Sequence, residues 1–163
     1  VEQIEHITWW PSDLDEKSLA SIESYRQEAS CERLKKPRHI SATDSNWNIQ
    51  NIDAIFCANM IHISPWEATV GLFENARKLL KAEALLFLYG PYFEKNVTTA
   101  ESNLDFDKQL RTKNPAWGIR DLHEVKEVAQ SNGFSLIKRI AMPANNLALI
   151  FHLNRNILER ASK

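Results

Sequence analysis

No stretch of this sequence approaches the roughly 20 consecutive apolar residues that a membrane-spanning helix needs, and no signal-peptide pattern stands at its start. An excess of one charge is also missing. Lys and Arg number 20 against 21 Asp and Glu, with no run of like charge, so neither a nucleic-acid nor a membrane partner is indicated. Cysteine is scarce: Cys31 lies in a polar stretch and Cys57 inside an apolar one, which offers no disulfide framework and no metal spacing and fits a reducing cytoplasm. Glycine is scarcer than usual, with four in 163 residues and none arranged as Gly-x-Gly-x-x-Gly or a Walker loop. That counts against a nucleotide diphosphate held at a helix N-terminus, but not against a nucleoside whose Gly-rich loop lies upstream of Val1. The first residue is Val1 rather than Met and a strand-like stretch follows almost at once, which reads as a truncated start.

What is present is an alternation of strand and helix signals in a length suited to one domain, taken as residues 1–153 with a polar tail over 154–163. The organising stretch is Ile52 to Ala58, a nearly continuous apolar run of the kind found in a strand buried on both faces of a parallel sheet. It stops at Asn59, and Ser64-Pro65 opens the next helix. Upstream, Ile4 to Trp10 reads as a strand ended by Pro11, Glu16 to Glu28 as a helix with Asp15 at its N-cap, and Pro37 to Ala42 as a second strand. Thr43 to Asn51 reads as a loop with Trp47 tucked under it. Downstream, Trp66 to Lys81 carries strong helical periodicity, Glu83 to Tyr89 is a buried strand stopped by Gly90-Pro91, and Tyr92 to Asn114 is an insertion that is helical around Ser102 to Thr112. Asp121 to Asn132 is a helix closed by Gly133, and Phe134 to Ala141 with Leu147 to Leu153 forms an antiparallel hairpin. The sum is an open α/β sandwich with a mostly parallel sheet, made mixed by its terminal hairpin.

Ligands of open α/β sheets gather at the carboxyl ends of the strands, so a small-molecule site is expected to touch Asn59, Met60 and His62. His62 has the side chain of a general base, or else is satisfied by loop backbone; Met60 suits packing. Asp13 follows a strand and precedes a helix, where a carboxylate either accepts from both hydroxyls of a ribose or serves as a turn residue. The segment from Tyr89 to Asp121 is dense in functional residue types, among them Tyr89, Asn103, Asp105, Asp107, Arg111, Arg120 and Asp121, as a lid over a pocket would be. Asp107 and Arg111 equally suit a surface ion pair, and Arg120-Asp121 a helix start. The turn at Asn145-Asn146 reaches the same mouth.

The stretches Trp10-Pro11-Ser12-Asp13, CANMIHISPW from Cys57, YGPY from Tyr89, SNLDFD from Ser102, NPAWGIRD from Asn114 and MPANN from Met142 together resemble a family of methyltransferase-like proteins, the domain of unknown function 938, which includes the methyltransferase-like protein 26 group. The resemblance implies a Rossmann-like class I fold using S-adenosylmethionine, with its first strand and Gly-rich loop missing here. It implies Asp13 as the ribose-binding acid, Ser41 and Ala42 along the adenine, and Asn59 and Met60 beside the methionine moiety. Ser41 stands where relatives usually have Asp, and Asp44 is a candidate substitute. Tyr89, Asn103, Asp105 and Arg120 become substrate-side residues, with His62 as the base. The function expected is methyl transfer to a small molecule or an exposed side chain; the alternative is a non-catalytic module of the same fold. A sheet without its first strand leaves either a gap or two flanking strands that close up, and this chain is expected to bind the cofactor poorly or not at all.

Overall fold

A computed structural model describes residues 5–154, which divide into two compact units with the boundary between Trp47 and Asn48. In the first unit, β1 (Ser12–Asp13) pairs in parallel with β2 (Arg38–His39), and α1 (Glu16–Ala29) connects them. Asp15 is the N-cap of α1, accepting from the Ser18 amide at 2.8 Å and the Ser18 hydroxyl at 3.0 Å. The expected strand at Ile4 to Trp10 is displaced downstream. Ile4 lies outside the described residues, Trp9 makes only an isolated bridge with Leu34, and regular pairing begins after Pro11. Pro11 does not end the pairing because it needs only to accept: its carbonyl takes the Arg38 amide at 3.0 Å, and its missing N–H is not called upon. The second strand shrinks to Arg38–His39, and Trp47 does tuck under its loop, donating from Nε1 to the Ser41 carbonyl at 3.0 Å.

The second unit runs β3 (Ile52–Ala58), a single helical turn (Met60–His62), α2 (Trp66–Leu79), β4 (Leu80–Gly90), β5 (Tyr92–Phe93), α3 (Glu101–Lys113), β6 (Arg120–Asp121), α4 (Leu122–Ser131), β7 (Phe134–Met142), a turn at Pro143–Asn145 and β8 (Asn146–Leu153). Its main sheet has the order β3-β4-β8-β7. The pair β3-β4 is parallel while β8 runs antiparallel to both β4 and β7, so three strands share a direction and β8 alone opposes them. This is the mixed α/β sheet expected. Residues 155–163, most of the expected tail, lie outside the described part.

Alternation sets the core. Leu86 and Leu88 of β4 stand beside Phe151 and Leu149 of β8 on one face, all buried. Phe73 of α2 meets Phe151 and Phe134 edge-on, with ring centroids 5.4 and 5.5 Å apart, and Val125 and Ala129 of α4 complete the layer.

One expectation fails at β3. Its apolar run predicts burial on both faces, yet only Cys57 is buried and Phe56 is 51% exposed. The cause is position: among the described residues β3 lies at the edge of its sheet and pairs there with β4 alone. Residues 80 and 81 belong to β4 rather than to the preceding helix, so α2 passes into the sheet without a loop. A pairing not anticipated is β5 with β6, parallel, which ties both ends of the Tyr92–Asn114 insertion together.

Candidate active site

The second unit has its polar concentration where β3 ends. The Asn59 amide donates to the Tyr89 carbonyl at 2.8 Å, extending the β3-β4 pairing by one residue. Asn59 then turns left-handed, with φ of 57°, and the chain folds into the Met60–His62 turn. Asparagine tolerates that conformation better than other side-chain-bearing residues. The turn is closed by the His62 amide on the Asn59 carbonyl at 2.9 Å and the Ser64 hydroxyl on the Met60 carbonyl at 2.7 Å.

His62 leaves this turn inward and exposes none of its surface. Its Nδ1 accepts from the Arg120 amide at 3.4 Å, which puts the ring hydrogen on Nε2, and Nε2 has no partner. The Tyr92 ring stands edge-on to it at 5.0 Å, and the Tyr92 hydroxyl is likewise buried without a partner. Burial, reinforced by the Arg120 charge and partly opposed by the Gly118 backbone, lowers the His62 pKa to about 4, so the imidazole is neutral. Nearby, burial pushes the Cys57 thiol up to about 12 despite hydrogen bonds from the Ile61 and Met60 backbone.

Arg120 spends its donors on main chain. Nε donates to the Ile61 carbonyl at 2.8 Å, Nη2 to those of Ser64 at 2.6 Å and Ala116 at 3.0 Å, and the guanidinium lies over the Trp66 ring, 5.5 Å from its centroid. Asp107 works alongside it, accepting from the Ile119 amide at 2.7 Å and from Arg111 Nε at 2.8 Å. Asp107 and Arg111 therefore form more than a surface pair, since the carboxylate also anchors the loop after α3. Asp121 is the N-cap of α4, accepting from the His123 amide at 2.7 Å.

A cavity of about 210 Å³ opens between the first turn of α3 and the turn joining β7 to β8, lined by Tyr92, Glu94, Asn103, Arg139, Asn145 and Leu147 among others. Asn103, 8% exposed, donates from Nδ2 to the Asn145 carbonyl at 3.1 Å. Asn145 in turn donates to the Ser102 hydroxyl at 3.3 Å. These bonds clamp a turn in which Ala144 and Asn145 both have φ of 57°, a conformation that costs a non-glycine residue about 1–2 kcal/mol.

The structure thus brings Asn59, Met60, His62 and Arg120 into one network, with the Tyr89 carbonyl at its edge. It places Asn103 in the cavity, which Tyr92 connects to His62. Asp105 is exposed on α3 and is not among the residues lining that cavity. In the first unit, Asp13 ends β1, with Oδ1 accepting from the Asp15 amide at 2.9 Å. Ser41 shares a hydrogen bond with the Thr43 hydroxyl at 2.8 Å, and Asp44 accepts from the Ser41 amide at 3.1 Å. Ala42 is half-buried beside it. Sequence reasoning missed Glu94 and Arg139: their pairing across two elements has no signature in local spacing.

The family model described as "Protein of unknown function (DUF938)" matches residues 1–153. Among solved structures, the chain is similar to PigF with SAH (TM-score 0.78, 10% identity, 94% of this chain and 45% of that one). It is also similar to an O-methyltransferase family protein from Burkholderia thailandensis (TM-score 0.72, 14% identity, 88% and 42%). A pericyclic reaction enzyme matches as well (TM-score 0.69, 16% identity, 94% and 38%). The chain spans less than half the length of each of these. The shared feature is the Rossmann-like fold, and the third match shows that proteins of this fold are not all named for methyl transfer.

Proposed function

The chain belongs to the DUF938 family, and we propose that it is a methyltransferase using S-adenosylmethionine and acting on a small molecule or an exposed side chain. The observation that carries this reading is the locked Asn59–His62 turn at the carboxyl end of β3, with Tyr92 reaching from the His62 ring to the lining of the cavity. Two structures with the same fold support it, one named as an O-methyltransferase family protein and the other titled as holding SAH. The finer assignment to the methyltransferase-like protein 26 group is proposed on the motifs alone. A cytoplasmic setting is proposed on two free cysteines, Cys31 and Cys57.

Within the first unit, the chemistry of the donor set suits the adenosine part of the cofactor. Asp13 commits Oδ1 to a neighbouring amide and keeps Oδ2 for ribose hydroxyls; Asp44 holds a carboxylate at the Ser41-Ala42 loop assigned to adenine. Asn59 and Met60 are assigned to the methionine moiety. S-adenosylmethionine supplies an electrophilic methyl group, so the protein's task is to align an acceptor and exclude water. Asn103 and the residues lining the cavity with it orient the acceptor; Tyr89 and Asp105, which do not line it, rest on the resemblance for that role. His62, neutral and without exposed surface, and Arg120, committed to carbonyls, are assigned to holding the Asn59 turn in shape.

The non-catalytic alternative is favoured by Ser41, which offers a hydroxyl already bonded to Thr43 in place of a carboxylate. Calorimetric titration of S-adenosylhomocysteine separates the two, into this chain and into a longer one carrying the upstream segment. Binding by either, weakened about tenfold or more in Asp13→Ala, supports the enzyme. No binding by both supports the module.

A further inference from the structure

The polar groups of the cavity specify its ligand more narrowly than "acceptor". Resting on the reading of this cavity as the acceptor site, we propose that it takes a neutral, ring-sized molecule bearing an N–H or O–H donor beside a carbonyl-type oxygen, and that it rejects carboxylates.

The donor requirement comes from Asn103. Its Nδ2 is fixed toward the Asn145 carbonyl, because the flipped amide would set two oxygens against each other. Oδ1 is therefore the atom left over, an acceptor on a residue more than nine-tenths buried and lining the cavity. An acceptor in that setting favours a ligand that donates, since leaving it unmatched against an apolar or anionic group has a desolvation cost.

The neutrality requirement comes from Glu94 and Arg139. Arg139 gives Nε to one oxygen of Glu94 at 2.8 Å and Nη2 to the other at 2.7 Å, and the Glu94 side chain is only 16% exposed. The bidentate pair cancels its own charge. An arriving carboxylate meets a guanidinium whose charge Glu94 already offsets and must give up its own hydration, whereas a carbonyl has far less hydration to lose in accepting from the remaining Arg139 Nη1 hydrogens. The hydroxyls of Thr98 and Thr99 serve either role, and Val97, Met142 and Leu147 supply apolar wall. Size follows from volume: about 210 Å³ holds on the order of ten non-hydrogen atoms, since liquid water occupies about 30 Å³ per molecule and bonded atoms pack more closely.

Benzamide and benzoate are matched probes of that size, one a neutral donor and the other an anion. Titrated into ¹⁵N-labelled protein, benzamide is expected to shift the Asn103 side-chain amide saturably and benzoate to bind about tenfold or more weakly. Glu94→Gln, which keeps the shape of the pair and removes its negative charge, is expected to narrow or invert that ratio by about tenfold. Equal binding of the two probes to the native chain, an unchanged ratio in Glu94→Gln, or no shift at Asn103 from either probe would each overturn the proposal. The methyltransferase reading stands or falls separately: S-adenosylhomocysteine binding without a benzamide site removes only this proposal, and the reverse result removes only the enzyme.

Discussion

Gly90 and His62 approach so closely that a methyl group built on Gly90 would lie 2.5 Å from the His62 Nε2 and 2.9 Å from the Asn59 Oδ1. Gly90 also has φ of 156°, which L side chains rarely adopt. Gly90→Ala is expected to lose about 2–4 kcal/mol of stability in urea denaturation, because the atoms it meets belong to a fully buried ring. A loss below about 0.5 kcal/mol would mean that the Asn59–His62 turn is not packed as described.

The neutral His62 makes stability depend on pH in a defined direction. Its folded pKa of about 4 lies below the ordinary value of 6.5, so the unfolded chain binds the proton first. Stability from this group is complete above pH 6.5, falls as pH drops toward 4, and changes no further below that. The size is about 3 kcal/mol. Comparing the native chain with His62→Gln at about pH 7.5 and about pH 4.5 isolates it: the deficit of the variant should shrink at the lower pH.

Thiol reactivity should separate the two cysteines. Burial keeps the Cys57 thiol protonated with a pKa pushed up to about 12, whereas Cys31 is half-exposed. A disulfide reagent at neutral pH should label Cys31 in the native chain and reach Cys57 only on unfolding. Fast labelling of both would place Cys57 outside the core.

Arg120→Lys tests whether geometry or charge matters. A single ammonium cannot reproduce the three carbonyl contacts at Ile61, Ser64 and Ala116, so the lysine variant should fall about 2 kcal/mol in stability, close to the alanine variant. Full rescue by lysine would reduce Arg120 to a point charge.

Much of the frame was legible from residues alone. Ile52–Ala58 and the Asp15 cap were read to the residue, because a bounded apolar run and a capping carboxylate act locally. The terminal hairpin was read nearly so. The exposure of β3 was not legible, since an apolar run is the same whether its neighbour strand is present or absent; only sheet order decides it. The site followed the same rule. Asn59 and His62 were placed by the strand end, whereas the duty of Arg120 and the Glu94–Arg139 pair depend on groups brought together by the fold.

Strand order has a consequence for biosynthesis. Among the described strands β8 is made after all the others, yet it lies between β4 and β7 and hydrogen-bonds to both. Until Asn146–Leu153 has left the ribosome, the nascent chain therefore carries two bare strand edges that this strand covers in the folded unit. The interval before that segment emerges is when this polypeptide is most open to pairing with another copy of itself, and a chaperone that shields Leu80–Gly90 during translation would act on the vulnerable element.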